Sequence, residues 1–233
     1  MNSITIIVQV LAAAESKSIS NGQTVTDSKV AGESKVTKGK AIFIHGYGDK
    51  ETHDEIDLEA WNGVGDQLYE LSKVDGCQAI LLITGRIDVN KIVTPEGNRN
   101  MFVLVANTIT PMPKFVKVNV FNIAGNVGQD PDVKYFESGA VKASSTLAVN
   151  RTKELTNWFG FTAWDKSAET MANYVRKGSK IALTGELTCE HWVGKAGDDR
   201  SKFGFKVDRV TLIAKAGEQQ QSAATHDPMD DEF

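Results

Sequence analysis

The chain has 233 residues, 41% of them hydrophobic and 24% charged, the balance of a globular protein with room for one large domain or two of about 110 residues. No apolar run approaches the ~18 residues that cross a bilayer, and Cys77 and Cys189 stand far apart, outside any CxxC, so neither a disulfide framework nor a zinc spacing is indicated. The formal net charge of −4 is unevenly spread: residues 1–112 carry 10 basic and 14 acidic residues, residues 113–215 carry 16 and 11, and residues 216–233 carry 0 and 5, which makes the three segments −4, +5 and −5. A basic middle beside an acidic end points to a polyanion partner for the middle segment.

The chain opens with "MNSITIIVQVLAAAES", a short apolar run ending in small residues. It has no Lys or Arg ahead of the run, and Ile4, Ile6, Val8 and Val10 alternate, so it reads as a strand over 3–12 rather than a secretory signal. "KAIFIHGYG" at 40–48 follows, then a helix near 58–74, then strands at 79–89 and 100–109. A joint is expected near Pro111–Lys114. Beyond it, "KVNVFNIAGNV" reads as a strand broken by Gly128 and the "QDPD" turn at 129–132. "VKYF" and "GAVKASSTLAV" supply the next strand, with Val141, Ala143, Ser145, Leu147 and Val149 on one face.

Residues 156–166, "TNWFGFTAWDK", hold two of the four tryptophans. Strand alternation places Trp158, Gly160, Thr162 and Trp164 on one face and Phe159, Phe161 and Ala163 on the other. The phenylalanine face is core. The tryptophan face is either buried by a partner chain or exposed as a platform on which flat ligands stack, nucleic-acid bases above all. "DKSAETMANYVRKG" then changes to helical spacing through Ala168, Met171, Tyr174 and Val175, with Gly178 as a stop. Strands at 180–192 and 202–213 end the pattern, separated by the turn "VGKAGDD" at 193–199.

Three strands, a helix and two strands in about 100 residues is the order of an OB-fold, a small partly open barrel. The first half repeats it loosely: Thr-Gly recurs at 84–85 and 184–185, and Trp61 precedes a helix as Trp164 does. The expected fold is therefore all-β, two tandem OB-folds with one short helix each, the first degenerate, followed by a disordered acidic tail.

Enzymatic readings find little support. "IFIHGYGDK" at 42–50 resembles an α/β-hydrolase oxyanion loop, but the G-x-S-x-G elbow is missing, and so is a GxxxxGK[ST] phosphate loop. His53, His191 and His226 have no ligand spacing with a Cys or acidic cluster, so no metal and no cofactor is expected. Cys189 and His191 share one strand face, yet the sequence offers no third group to orient such a pair.

"NVFNIAGNVGQDPDVKYFESGAVKASSTLAV", "NWFGFTAWDKSAETMANYVRKGSKIALTGEL" and "EHWVGKAGDDRSKFGF", together spanning about 117–213, resemble the bacterial single-stranded DNA-binding protein family in motif order and spacing. The resemblance implies base stacking on Trp158, Trp164 and Trp192, with Phe203 joining them, and phosphate contacts from Arg151, Lys153, Lys177, Lys195, Arg200 and Lys202. A further family tryptophan before the third strand has no counterpart; Arg151 and Lys153 stand there instead. The family's acidic tip docks on replication, recombination and repair proteins, which maps to Asp230, Asp231, Glu232 and Phe233, here without the usual Ile-Pro before Phe233. The resemblance further implies a cytoplasmic, nucleoid-associated and non-catalytic protein that binds single-stranded DNA without sequence preference. Paired chains would bring together four OB-folds. The expected division is 1–112 for assembly with weak or no DNA contact, 113–215 for DNA, and 216–233 for partners. An OB-fold RNA-binding or primosome-type adaptor is the alternative.

Overall fold

The structure, a computed structural model, describes residues 1–19, 34–74, 78–94, 97–194, 197 and 199–215, the side chains of 19 and 91–99 excepted. Chain contacts divide it into two compact units. One comprises Met1–Asn122 and Gly185–Phe205; the other comprises Ile123–Thr184 and the chain from Lys206 on.

The first unit is built on β1 (Asn2–Val10), β3 (Ser34–His45), β4 (Thr52–Trp61), β5 (Ile80–Thr94) and β6 (Gly97–Pro111), with β2 (Glu15–Ile19) added on β3. β1 pairs antiparallel with both β3 and β5, β3 with β4, and β5 with β6. A parallel β4–β6 pairing closes the ring. That circuit, first-second-third-fifth-fourth and back to the first, is the OB barrel. The expected alternation in β1 holds: Ile4, Ile6, Val8 and Val10 are buried, as are Phe43, Ile56, Leu58, Leu81, Ile83, Ile87 and Leu104 around them. The barrel bends at Gly85, where the β5–β6 register shifts; a Cβ there would lie 2.1 Å from the Val105 carbonyl oxygen.

Two strands went unforeseen, the short β2 and β4. β4, "THDEIDLEAW", is dense in acids, and the helix expected near 58–74 is in fact α1 (Asn62–Leu71), with residues 58–61 closing β4. Ile56, Leu58 and Ala60 alternate inward, while acids on the strand meet lysines of β3: Lys38 lies 3.2 Å from Glu59 and Lys40 lies 3.6 Å from Glu55. Cross-strand pairing of opposite charges makes an acidic strand tolerable beside a basic one.

The same circuit recurs in β7 (Asn119–Val127), β9 (Val141–Asn150), β10 (Thr156–Trp164), β12 (Asp199–Ala214) and β11 (Lys180–Val193), with the short β8 (Asp132–Tyr135) at the edge of β9; Asn119–Asn122, Gly185–Val193 and Asp199–Phe205 of these strands group with the first unit and the rest with the second. β9 alternates without a break, Val141, Ala143, Ser145, Leu147 and Val149 inward. α2 (Asp165–Tyr174) buries Ala168 and Met171, and Val175 just beyond it; Tyr174, expected on the same face, is exposed. In both units the strand before the helix ends on a tryptophan, and the next residue has positive φ: Asn62 at 51° and Asp165 at 47°. Asn and Asp are among the few side chains that accept this backbone, so the repeat noted at Trp61 and Trp164 is a repeat of geometry. No helix among the described residues is long and apolar enough to cross a membrane.

Within the first unit, Lys117, just before β7, and Asn119, its first residue, are held by buried groups. The Lys117 ammonium lies 2.9 Å from the buried Glu186 carboxylate and 3.3 Å from the Tyr47 ring centroid, and donates to the Gly46 carbonyl. Asn119 donates to the Ile44 and Leu187 carbonyls at 3.2 and 2.8 Å and accepts from the Leu187 amide at 3.0 Å.

Candidate nucleic-acid interface

In the second unit, β10 presents the two faces that alternation requires. Asn157, Phe159, Phe161 and Ala163 are buried, while Trp158 and Trp164 are 48% and 39% exposed, with Gly160 and Thr162 between them. β9 continues the outer face. Trp158 stands opposite Ala148, Gly160 opposite Thr146, Thr162 opposite Ser144 and Trp164 opposite Lys142. Two large, partly exposed rings thus stand at either end of a floor of small and hydroxyl side chains. Trp158 lies against Gly128, where a Cβ would come within 2.4 Å of its ring, so the glycine lets that ring lie low on the sheet.

Trp164 has neighbours that the sequence did not announce. Phe136 stacks on it with centroids 5.9 Å apart and planes at 21°, and the Lys142 ammonium lies 5.5 Å from its centroid. Phe136 was absorbed into the strand "VKYF"; in fact β8 stops at Tyr135 and a tight turn follows. In that turn the Phe136 amide donates to the Ala140 carbonyl and the Gly139 amide to the Phe136 carbonyl. The only hint was an exposed-looking "YF" before a Gly turn.

Of the basic candidates in this unit, Arg151 and Lys153 lie on the exposed turn between β9 and β10, pinned where the Thr152 hydroxyl accepts from the Glu154 and Leu155 amides. Lys177 is exposed after α2, its backbone amide donating to Asp130.

Trp192 and Phe203 belong by contact to the first unit. Trp192 is 45% exposed near the end of β11. Phe203 is half-buried on the face it shares with the buried Phe205 and Val207, and its ring packs on Phe102 at 5.4 Å and Phe43 at 6.2 Å. Arg200 and Lys202 are exposed on the same strand. Lys195 and the tail residues Asp230, Asp231, Glu232 and Phe233 lie outside the described residues, as does Cys77.

The same unit supplies the third group that the Cys189–His191 pair lacked in sequence. Asp54 of β4 takes a hydrogen bond from His191 Nε2 at 2.5 Å on one oxygen and is 2.7 Å from His45 Nε2 on the other. Burial, followed by the Asp54 charge, pushes the Cys189 thiol up to about 11. A raised pKa keeps the thiol protonated, so on the order of one thiol in a thousand is ionised at pH 8. Alkylation of Cys189 in a Cys77→Ser protein is therefore expected to be slow at pH 8 and to keep accelerating through pH 10; a rate that levels off by pH 9 contradicts this.

The sequence pattern of the Single-strand binding protein family matches residues 118–213. The chain is 40% identical over 116 residues to Single-stranded DNA-binding protein 1 of Nostoc sp., covering 98% of that protein and 48% of this chain. The chain belongs to the single-strand binding protein family. It is also 39% identical over 118 residues to Single-stranded DNA-binding protein 1 of Synechocystis sp., with 98% of that protein covered. The fold extends further than the sequence likeness: the wild-type single-stranded DNA binding protein of Thermus aquaticus superposes with a TM-score of 0.67 over 94% of this chain and 98% of its own, at 17% identity. A deletion variant of the Thermus protein gives 0.69 over 95% of this chain. The fold likeness thus covers nearly the whole chain, whereas each of these two curated relatives covers about half of it.

Proposed function

We propose that this chain binds single-stranded DNA without regard to base sequence, with bases stacked on Trp158, Trp164 and Trp192. The observation that carries the reading is the outer face of β10, where two exposed rings flank Gly160 and Thr162 instead of filling a core. Stacking is indifferent to base identity because every base has a π-face, and it excludes duplex, whose faces are already occupied. Phe203, with rings already on it, is the weakest of the stacking candidates, and Phe136 joins the set through Trp164. Arg151, Lys153, Lys177, Lys195, Arg200 and Lys202 neutralise phosphates, and the acidic end at Asp230–Phe233 recruits replication and repair proteins. The first 112 residues serve assembly, and two chains together present four OB-folds. No catalysis is required of any of these residues.

The test is tryptophan fluorescence titrated with oligo(dT), oligo(U) and duplex DNA at low and high salt. Strong quenching by oligo(dT), weak by duplex, and moderated by salt is the expected result. Stronger quenching by oligo(U) favours the RNA-binding alternative, and no quenching by any of them sinks the stacking surface.

A further inference from the structure

We propose that Asp54, Cys189 and His191 form a binding site for one divalent transition-metal ion, zinc by its donor chemistry, with His45 as the group that orients the carboxylate. One donor atom from each of the three residues lies within 4.8 Å of the other two. The set offers one sulfur, one imidazole nitrogen and one carboxylate oxygen, the three donor types that Zn²⁺ takes from proteins, usually in tetrahedral geometry. A tetrahedral ion holds such donors about 3.3–3.8 Å apart, from bond lengths of about 2.0–2.3 Å. Adjustments of about 1 Å at side-chain ends bring them there, the His191–Asp54 hydrogen bond giving way to the ion.

The scaffold is suited to this. Cys189 and His191 are two residues apart on β11 and so share a face. Asp54 comes from β4, directly opposite Phe43 of β3 and close to the β3–β4 turn. His45, on the same hairpin, is buried and spends its Nε2 on Asp54 Oδ2 at 2.7 Å, which fixes the carboxylate and leaves Oδ1 at the site. A hydrogen-bonded imidazole behind a ligating carboxylate is the kind of outer support that metal sites use. The Cys189 side is buried and the His191 side chain is 58% exposed, so an ion has a route in from solvent and a fourth position open to water. A bound ion would tie the β3–β4 hairpin to the end of β11, immediately before Trp192.

The experiment uses the full chain with Cys77→Ser, stripped with a chelator and titrated with Co²⁺. The expected result is one cobalt per chain, with a thiolate-to-cobalt charge-transfer band and the visible bands of a tetrahedral ion, both displaced by Zn²⁺. Adding Cys189→Ser should abolish the charge-transfer band. His191→Gln should weaken binding at least tenfold; being at the surface, it leaves the barrel intact, which circular dichroism checks should Asp54→Asn fail to fold. His45→Gln should weaken binding by about ten- to a hundredfold. Absence of the thiolate band, its survival in Cys189→Ser, or unchanged affinity in His191→Gln each overturns the site.

Discussion

With Trp158 and Trp164 both replaced by alanine, affinity for an oligo(dT) strand is expected to fall by about 2–6 kcal/mol, between roughly 30-fold and 10⁴-fold. Each ring contributes about 1–3 kcal/mol by stacking. The two rings are six residues apart on one strand, about 20 Å at ~3.4 Å per residue, so their losses should add. Anisotropy of a labelled oligonucleotide measures this without depending on the rings removed. Because both rings are exposed, the variant should melt close to the parent; a matching loss of stability would mean that the face is structural. A fall of less than twofold with the fold intact would remove β10 from the DNA path. Lys153→Ala and Lys177→Ala should behave differently, each flattening the salt dependence by about 0.7 in the slope of log affinity against log salt. The contrast separates stacking from charge, since only the second responds to ionic strength.

What the sequence made legible follows from which signals are local. The second barrel was readable because β9 and β10 alternate without interruption and are buried on one face only, so Leu147 and Phe159 announce an inside and Trp158 an outside. β4 was not readable, because Asp54, Glu55, Asp57 and Glu59 in one stretch look solvated until Lys38 and Lys40 are placed beside them. The grouping of Gly185–Phe205 with Met1–Asn122 is likewise invisible locally, since it depends on pairings between distant segments. The Asp54–Cys189–His191 cluster is the extreme case. The Cys189 amide nitrogen lies 3.4 Å from His45 Nε2 although the two residues are 144 positions apart, and no spacing rule reaches that far. Phe136 was missed for the opposite reason, a local error: "YF" continued a strand pattern that Gly139 had already turned.

Lys117→Met is expected to cost about 3–5 kcal/mol of stability, the largest effect of any single substitution considered for the fold. The Glu186 carboxylate is buried, and the Lys117 ammonium at 2.9 Å is a cation matched to it. Methionine keeps most of the lysine's volume, so the loss reports charge rather than a cavity. The asymmetry of buried pairs gives the control. Lys117→Met combined with Glu186→Leu removes both charges, and replacing such a pair by apolar groups of similar size is often neutral or stabilising, so the double variant should recover most of what the single one loses. Urea denaturation midpoints of the parent, the single and the double variant measure both. Recovery identifies the cost as an uncompensated carboxylate; a double variant as unstable as the single one would place the cost in the other contacts of Lys117, its bond to the Gly46 carbonyl and its seat over Tyr47. Those contacts fix the end of β3 where His45 begins the turn, so the same variant also reads whether the β3–β4 hairpin depends on this anchor. If it does, loss of Lys117 should weaken cobalt binding at Asp54, Cys189 and His191 while leaving the Trp158–Trp164 face of the second unit unaffected.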